Sequence, residues 1–152
     1  MIYSKLNTKL NKIFGACWLG SFLVLTIPAP AFAQLERTIH QTFEIGDASR
    51  ISLDLVGELE TQPWAGNNVL TETKIQIFDA SPAILKYFIE EVHRYEIQAD
   101  TSAENQIVLK SFDKERKTVK TKKGECFEYV HVLVYVPEGF KKVDEVTLVR
   151  KL

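Results

Sequence analysis

Phe127 to Pro137 reads FEYVHVLVYVP. Valine fills every even position from Val130 to Val136, and His131, Leu133 and Tyr135 stand between them. Successive side chains on a strand point to opposite faces, so an all-valine face backs onto a bulkier, partly aromatic one. With Phe127 and Tyr129 before it, the segment is apolar on both sides, which predicts a central strand covered on both faces. Pro137-Glu138-Gly139 then breaks the pattern and ends the strand.

The same period of two extends outward in both directions. Upstream, Ile39, Gln41, Phe43 and Ile45 alternate with Thr38, His40, Thr42 and Glu44. Gly46-Asp47-Ala48-Ser49 is a turn, and Ile51, Leu53 and Leu55 oppose Ser52 and Asp54. Gly57 marks a bulge or bend. After the turn-forming run from Pro63 to Asn68, Val69 to Phe78 is a strand with Thr71, Thr73, Ile75 and Ile77 on one side. Tyr95 to Ala99 and Ile107 to Phe112 are two further strands, and Val143 to Val149 a weaker last one.

One segment departs from this rhythm. Ser81 can cap free N–H groups and Pro82 suits the first helical position. Leu85, Phe88, Ile89 and Val92 then form one apolar stripe. This predicts an amphipathic helix over about 81–93, packed across an open sheet face or plugging an end. The expected class is mainly β: an antiparallel sheet or sandwich, or a short β-solenoid-like stack, of about seven strands with one helix.

Residues 1–33 read as a secretory signal peptide. Lys5, Lys9 and Lys12 form a cationic flank, and Ile13 to Ile27 is an apolar run of 15 residues. Pro28 and Pro30 follow, and Ala31-Phe32-Ala33 supplies the small residues of a cleavage site. The run falls short of the about 20 residues that a membrane-spanning helix needs. The expectation is cleavage after Ala33, no transmembrane segment afterwards, and one exported β-rich domain, 34–152, in the periplasm or at the cell surface. Three of the 19 lysines and arginines fall in the leader, leaving 16 against 20 acidic residues. Such an acidic balance does not favour nucleic acid. Cys126 is then the single cysteine left, so no intramolecular disulfide forms.

Two stretches resemble a known family. Phe43 to Ile75, FEIGDASRISLDLVGELETQPWAGNNVLTETKI, looks like the opening of the bacterial adhesin-like DUF4097/DUF2807 (head GIN domain) group. Val130 to Phe140, VHVLVYVPEGF, looks like that group's central strand ending at proline. The resemblance implies an exported protein of stacked β-strands and no defined enzymatic activity. The helix after Ser81 is not a regular feature of those repeats, which favours a smaller sheet or sandwich over a full solenoid.

Residues that carry chemistry are sparse. His40, His93 and His131 lie far apart without metal-ligand spacing, and each reads as a surface or satisfied strand histidine. Cys126 and His131 are five apart, so on one strand they face opposite ways and cannot act as nucleophile and base. There is no nucleophile elbow and no phosphate loop. Glu90-Glu91 reads as a solvated helix surface, and Asp47 and Asp113 are too isolated for a calcium loop. No catalytic residue, cofactor or metal is assigned.

Two features suggest binding. The basic run from Lys114 to Lys123 holds six positive residues and one acid. Lys117, Lys120, Lys122 and Lys123 are candidates to contact an anionic polymer; the plainer alternative is a solvated hairpin turning at Lys123-Gly124. No aromatic residue interleaves the lysines, which argues against nucleic acid. Trp64, in a turn between Pro63 and Gly66, is either a platform for a sugar ring or an anchor for its own turn. The expected function is non-enzymatic binding or structural association, with an anionic glycan or another envelope protein as partner. The alternative is a small lipid- or ligand-binding carrier whose helix covers a pocket.

Overall fold

A computed structural model describes residues 34–122 and 124–151. The expected signal peptide and Lys123 lie outside the described residues. The elements are β1 (Gln34–Phe43), β2 (Arg50–Asp54), β3 (Glu58–Trp64), β4 (Val69–Phe78), α1 (Pro82–Glu90), β5 (Ile97–Asp100), β6 (Gln106–Ser111), β7 (Val119–Thr121), β8 (Gly124–Pro137), β9 (Phe140–Lys142) and β10 (Thr147–Arg150).

They form two sheets around one core. The first runs β1-β4-β8-β3, with β7 paired to the start of β8; the second runs β5-β6-β2-β10-β9. The mainly β class holds, and the arrangement is a sandwich rather than a solenoid-like stack. The strands number ten among the described residues instead of about seven: Leu59 and Thr61, expected to continue the preceding strand past Gly57, belong to a separate strand in the other sheet, and β7 and β9, three residues each, are too short to show an alternation. Both sheets are mixed: β2 pairs β6 in parallel, and β3 pairs β8 in parallel.

The two parallel pairings involve the strands on either side of one crossing. Between β2 and β3 the chain leaves the second sheet for the first, turning at Gly57, whose φ is 127°. A Cβ there would stand 2.6 Å from the Val130 carbonyl oxygen. The predicted bend is thus an inter-sheet crossover pressed against β8, and only glycine fits it.

Alternation sorts each strand as expected. Val69, Ile75 and Ile77 of β4 and Val130, Val132, Val134 and Val136 of β8 point inward. They meet Ile51, Leu53, Ile97, Ile107, Leu109, Phe140 and Leu148 from the second sheet in a single cluster. Burying each such side chain contributes about 1.5–3 kcal/mol. At the edges, the Gln41 amide of β1 accepts from Ile97 N–H and donates to Ile97 C=O, both at 2.9 Å, so one side chain continues the hydrogen bonding from sheet to sheet.

Two expectations are corrected. β8 is central, yet only its even face is covered: Phe127 is 68% and Tyr129 40% exposed. The helix, expected across an open sheet face or at an end, shares a surface cleft with Leu35, Glu36 and Arg37 of β1, with Leu85 buried and Ile84, Phe88 and Ile89 against the core. It also stops at Glu90 rather than His93. Ser81 caps its start, accepting from Ile84 N–H, and Pro82 follows as predicted. Its end is set by His93, whose φ of 54° reverses the chain and leaves Val92 past the last turn.

Candidate functional site

At one end of the sandwich, the exits of β3 and β8 and the last strand enclose a cleft of about 430 Å3. Trp64, Asn67, Glu138, Phe140 and Arg150 line it. Trp64 is the last residue of β3 and sits opposite Pro137 in the parallel register. Its indole N–H donates to Asn68 C=O at 2.8 Å. Its six-membered ring covers Gly66 so closely that a Cβ there would lie 2.0–2.5 Å from Cζ2, Cη2 and Cε2. The tryptophan therefore anchors its own turn and lines a cleft at the same time. Arg150 is fixed as well: Nε and Nη2 donate to the carbonyls of Gly46 and Ala48 at 2.9–3.1 Å, and the guanidinium lies 4.9 Å above the Phe140 ring.

A second surface is the outer face of the first sheet. The odd residues of β8, Phe127 to Tyr135, form a column there, flanked by Phe78 and Leu70 of β4 through the register. Phe78 and Phe127 rings stand 6.0 Å apart. Around the column the polar groups largely satisfy one another. His131 and Glu60 are 3.5 Å apart, Lys74 and Glu36 3.1 Å, and His40 and Glu72 3.7 Å. Tyr129 hydrogen-bonds Glu58.

The predicted basic patch is divided. Val119–Thr121 pairs antiparallel with Gly124–Cys126, the solvated hairpin that the run also allowed. Lys114 pairs with Asp54, and Lys120 with Glu125 at 3.3 Å. Arg116 turns inward, its guanidinium 5.4 Å from the Tyr95 ring centroid. Only the Lys117 and Lys122 side chains are exposed and without a partner among the described residues. Cys126 is buried, its thiol 3.3 Å from Asp79 C=O, on the inner face, while His131 lies on the outer one. Among the described residues, no group of three or more His, Cys, Asp and Glu could hold a metal ion.

The most heavily bonded polar group escaped the sequence reading. Arg94, 4% exposed, places Nη1 3.0 Å from Asp113 and donates Nη2 to Lys117 C=O at 2.8 Å. Nε and Nη2 also engage the Glu128 carboxylate, and the guanidinium lies 5.2 Å from the Phe88 ring centroid. Tyr95 O–H donates to Glu128 at 2.8 Å. Burial, then the Glu128 carboxylate, raises the Tyr95 phenol well above its ordinary value. Burial lowers Arg116. For Arg94 burial pulls downward, but the hydrogen bonds and charge of Glu128, with Tyr95 and Asp113, leave the guanidinium raised. Opposite charges cancel within this cluster, which ties α1 and both sheets together; it has the character of a structural staple.

No protein-family model, curated protein or solved structure matches the chain.

Proposed function

We propose that the chain is a non-enzymatic, exported association module whose docking surface is the outer face of the first sheet, and that its partner is another envelope protein. The observation that carries this is Phe127, 68% exposed on a central strand beside Phe78 and Tyr129. An aromatic centre within a polar rim is the usual anatomy of a protein–protein contact. The rim charges also favour a protein over a polyanion, since among the described residues Glu36, Glu58, Glu60, Glu72 and Glu125 outnumber the lysines on that face, Lys74 and Lys120. The leader-like first 33 residues and the adhesin-like stretches at 43–75 and 130–140 support export and association. A lipid carrier draws less support, because the space between the sheets is filled by the core cluster.

A photo-crosslinking residue at position 127 tests the reading in the cells that make the protein. The expected result is an adduct of one defined mass, absent when the crosslinker is placed at exposed Lys141 in the other sheet, and lost on Tyr129→Ser. Equal labelling from both positions, or none from 127, would sink it.

A further inference from the structure

Independently of that face, we infer that the cleft at the end of the sandwich binds a neutral saccharide, with Trp64 as the platform for the apolar face of a sugar ring. Three observations lead there. The first is volume: about 430 Å3 lies within the range of small-molecule pockets.

The second is preorganisation. The Trp64 ring is held by its N–H bond to Asn68 C=O and by its seat on Gly66. No rotamer has to be frozen when a ligand arrives, which removes a usual cost of binding. With the indole N–H already engaged, what Trp64 offers a ligand is ring surface, and C–H groups of a pyranose suit a π face.

The third is the mixture of polar groups. Arg150 spends Nε and Nη2 on the Gly46 and Ala48 carbonyls and keeps Nη1 without a partner among the described residues. Glu138 and Asn67 are exposed, and neither side chain has a partner among the described residues. A fixed donor, a carboxylate acceptor and an amide able to do both match the hydroxyls of a sugar, each of which donates and accepts. One guanidinium and one carboxylate leave the lining without net charge; the Lys151 ammonium beside it already donates to the Glu138 carbonyl at 2.8 Å, and the acidic glycans in the test read whether it draws an anion.

The test is a panel of neutral glycans, acidic glycans and nucleosides, read by the Trp64 indole N–H resonance and by titration calorimetry on the exported protein. Neutral glycans are expected to shift that resonance. Trp64→Ala should weaken binding roughly tenfold or more, while Trp64→Phe retains most of it. Because Trp64→Ala can also disturb its turn, Glu138→Ala and Asn67→Ala are the second arm: each should weaken binding roughly fivefold with an unchanged melting temperature. The inference is overturned if no neutral glycan shifts the resonance at millimolar concentration. It is equally overturned if nucleosides or acidic glycans bind in preference, or if Glu138→Ala and Asn67→Ala bind as well as the parent.

Discussion

Arg94 sets Nε and Nη2 against the two carboxylate oxygens of Glu128, at 3.1 and 2.8 Å, joining the segment that leads into β5 to the inner face of β8. Such a bidentate pair is favourable in place and costly to halve, because the remaining partner is left buried and charged. Glu128→Ala leaves both Arg94 and Arg116 facing a single carboxylate, Asp113. It should lower the unfolding free energy by about 3–5 kcal/mol. Arg94→Lys should also be costly, since an ammonium cannot span both oxygens. Urea denaturation reads both; Glu60→Ala, on the exposed outer face, is the comparison and should stay within about 0.5 kcal/mol. A Glu128→Ala loss no larger than that of Glu60→Ala would mean that the cluster is not a staple.

Tyr95 gives the same cluster a pH signature. Its folded pKa is raised above the unfolded value, so the neutral phenol is the form that the fold prefers. That stability is fully present below about pH 10, the unfolded value. It is lost as the pH climbs toward the folded one, where the unfolded chain gains by ionising first. Denaturation midpoints of the parent should therefore fall more steeply between pH 9 and 11 than those of Tyr95→Phe (roughly the window set by the ordinary tyrosine pKa). Parallel slopes, or ionisation of Tyr95 in the folded protein near its ordinary value, would contradict the assignment.

How far this could be read from sequence depended on distance along the chain. The even valines of β8 and the Ser81-Pro82 start of α1 are local signals, and both hold. The helix end is not local: His93 adopts its left-handed turn where Arg94 must reach Asp113 and Glu128, 19 and 34 residues away. An arginine between His93 and Tyr95 looks like any surface charge until those partners are folded against it. The lysine-rich run read as one patch because one-dimensional spacing cannot show that Arg116 turns inward while Lys114 finds Asp54, 60 residues upstream. Trp64 was legible as a candidate because Gly66 and Asn68, which hold its ring, are its near neighbours.

Thr71 and Thr73 face the core from β4, each 1% exposed, opposite Val134 and Val132, and neither hydroxyl has a hydrogen-bond partner among the described residues. A buried hydroxyl without a partner costs about 1–3 kcal/mol, and valine has nearly the same shape. Thr73→Val should therefore stabilise the fold by about 1 kcal/mol, raising the melting temperature by roughly 3–5 °C for a domain of this size. Calorimetry showing a lower melting temperature would reveal a hydrogen-bonding role for that hydroxyl.

The crossover at Gly57 yields a prediction with an internal control. Gly57 and Gly124 have nearly the same backbone angle, φ 127° and 133°. Beyond Gly124 there is open space, whereas beyond Gly57 the Val130 carbonyl stands 2.6 Å from where a Cβ would go. Gly124→Ala should then cost about 1 kcal/mol, the penalty of the backbone conformation alone. Gly57→Ala must in addition push β8 from its place between β3 and β4, because a backbone oxygen in a ladder cannot swing aside as a side-chain tip can. Its loss should exceed that of Gly124→Ala by about 2 kcal/mol or more. Equal losses in paired urea titrations would mean that the β2–β3 crossover does not press on β8.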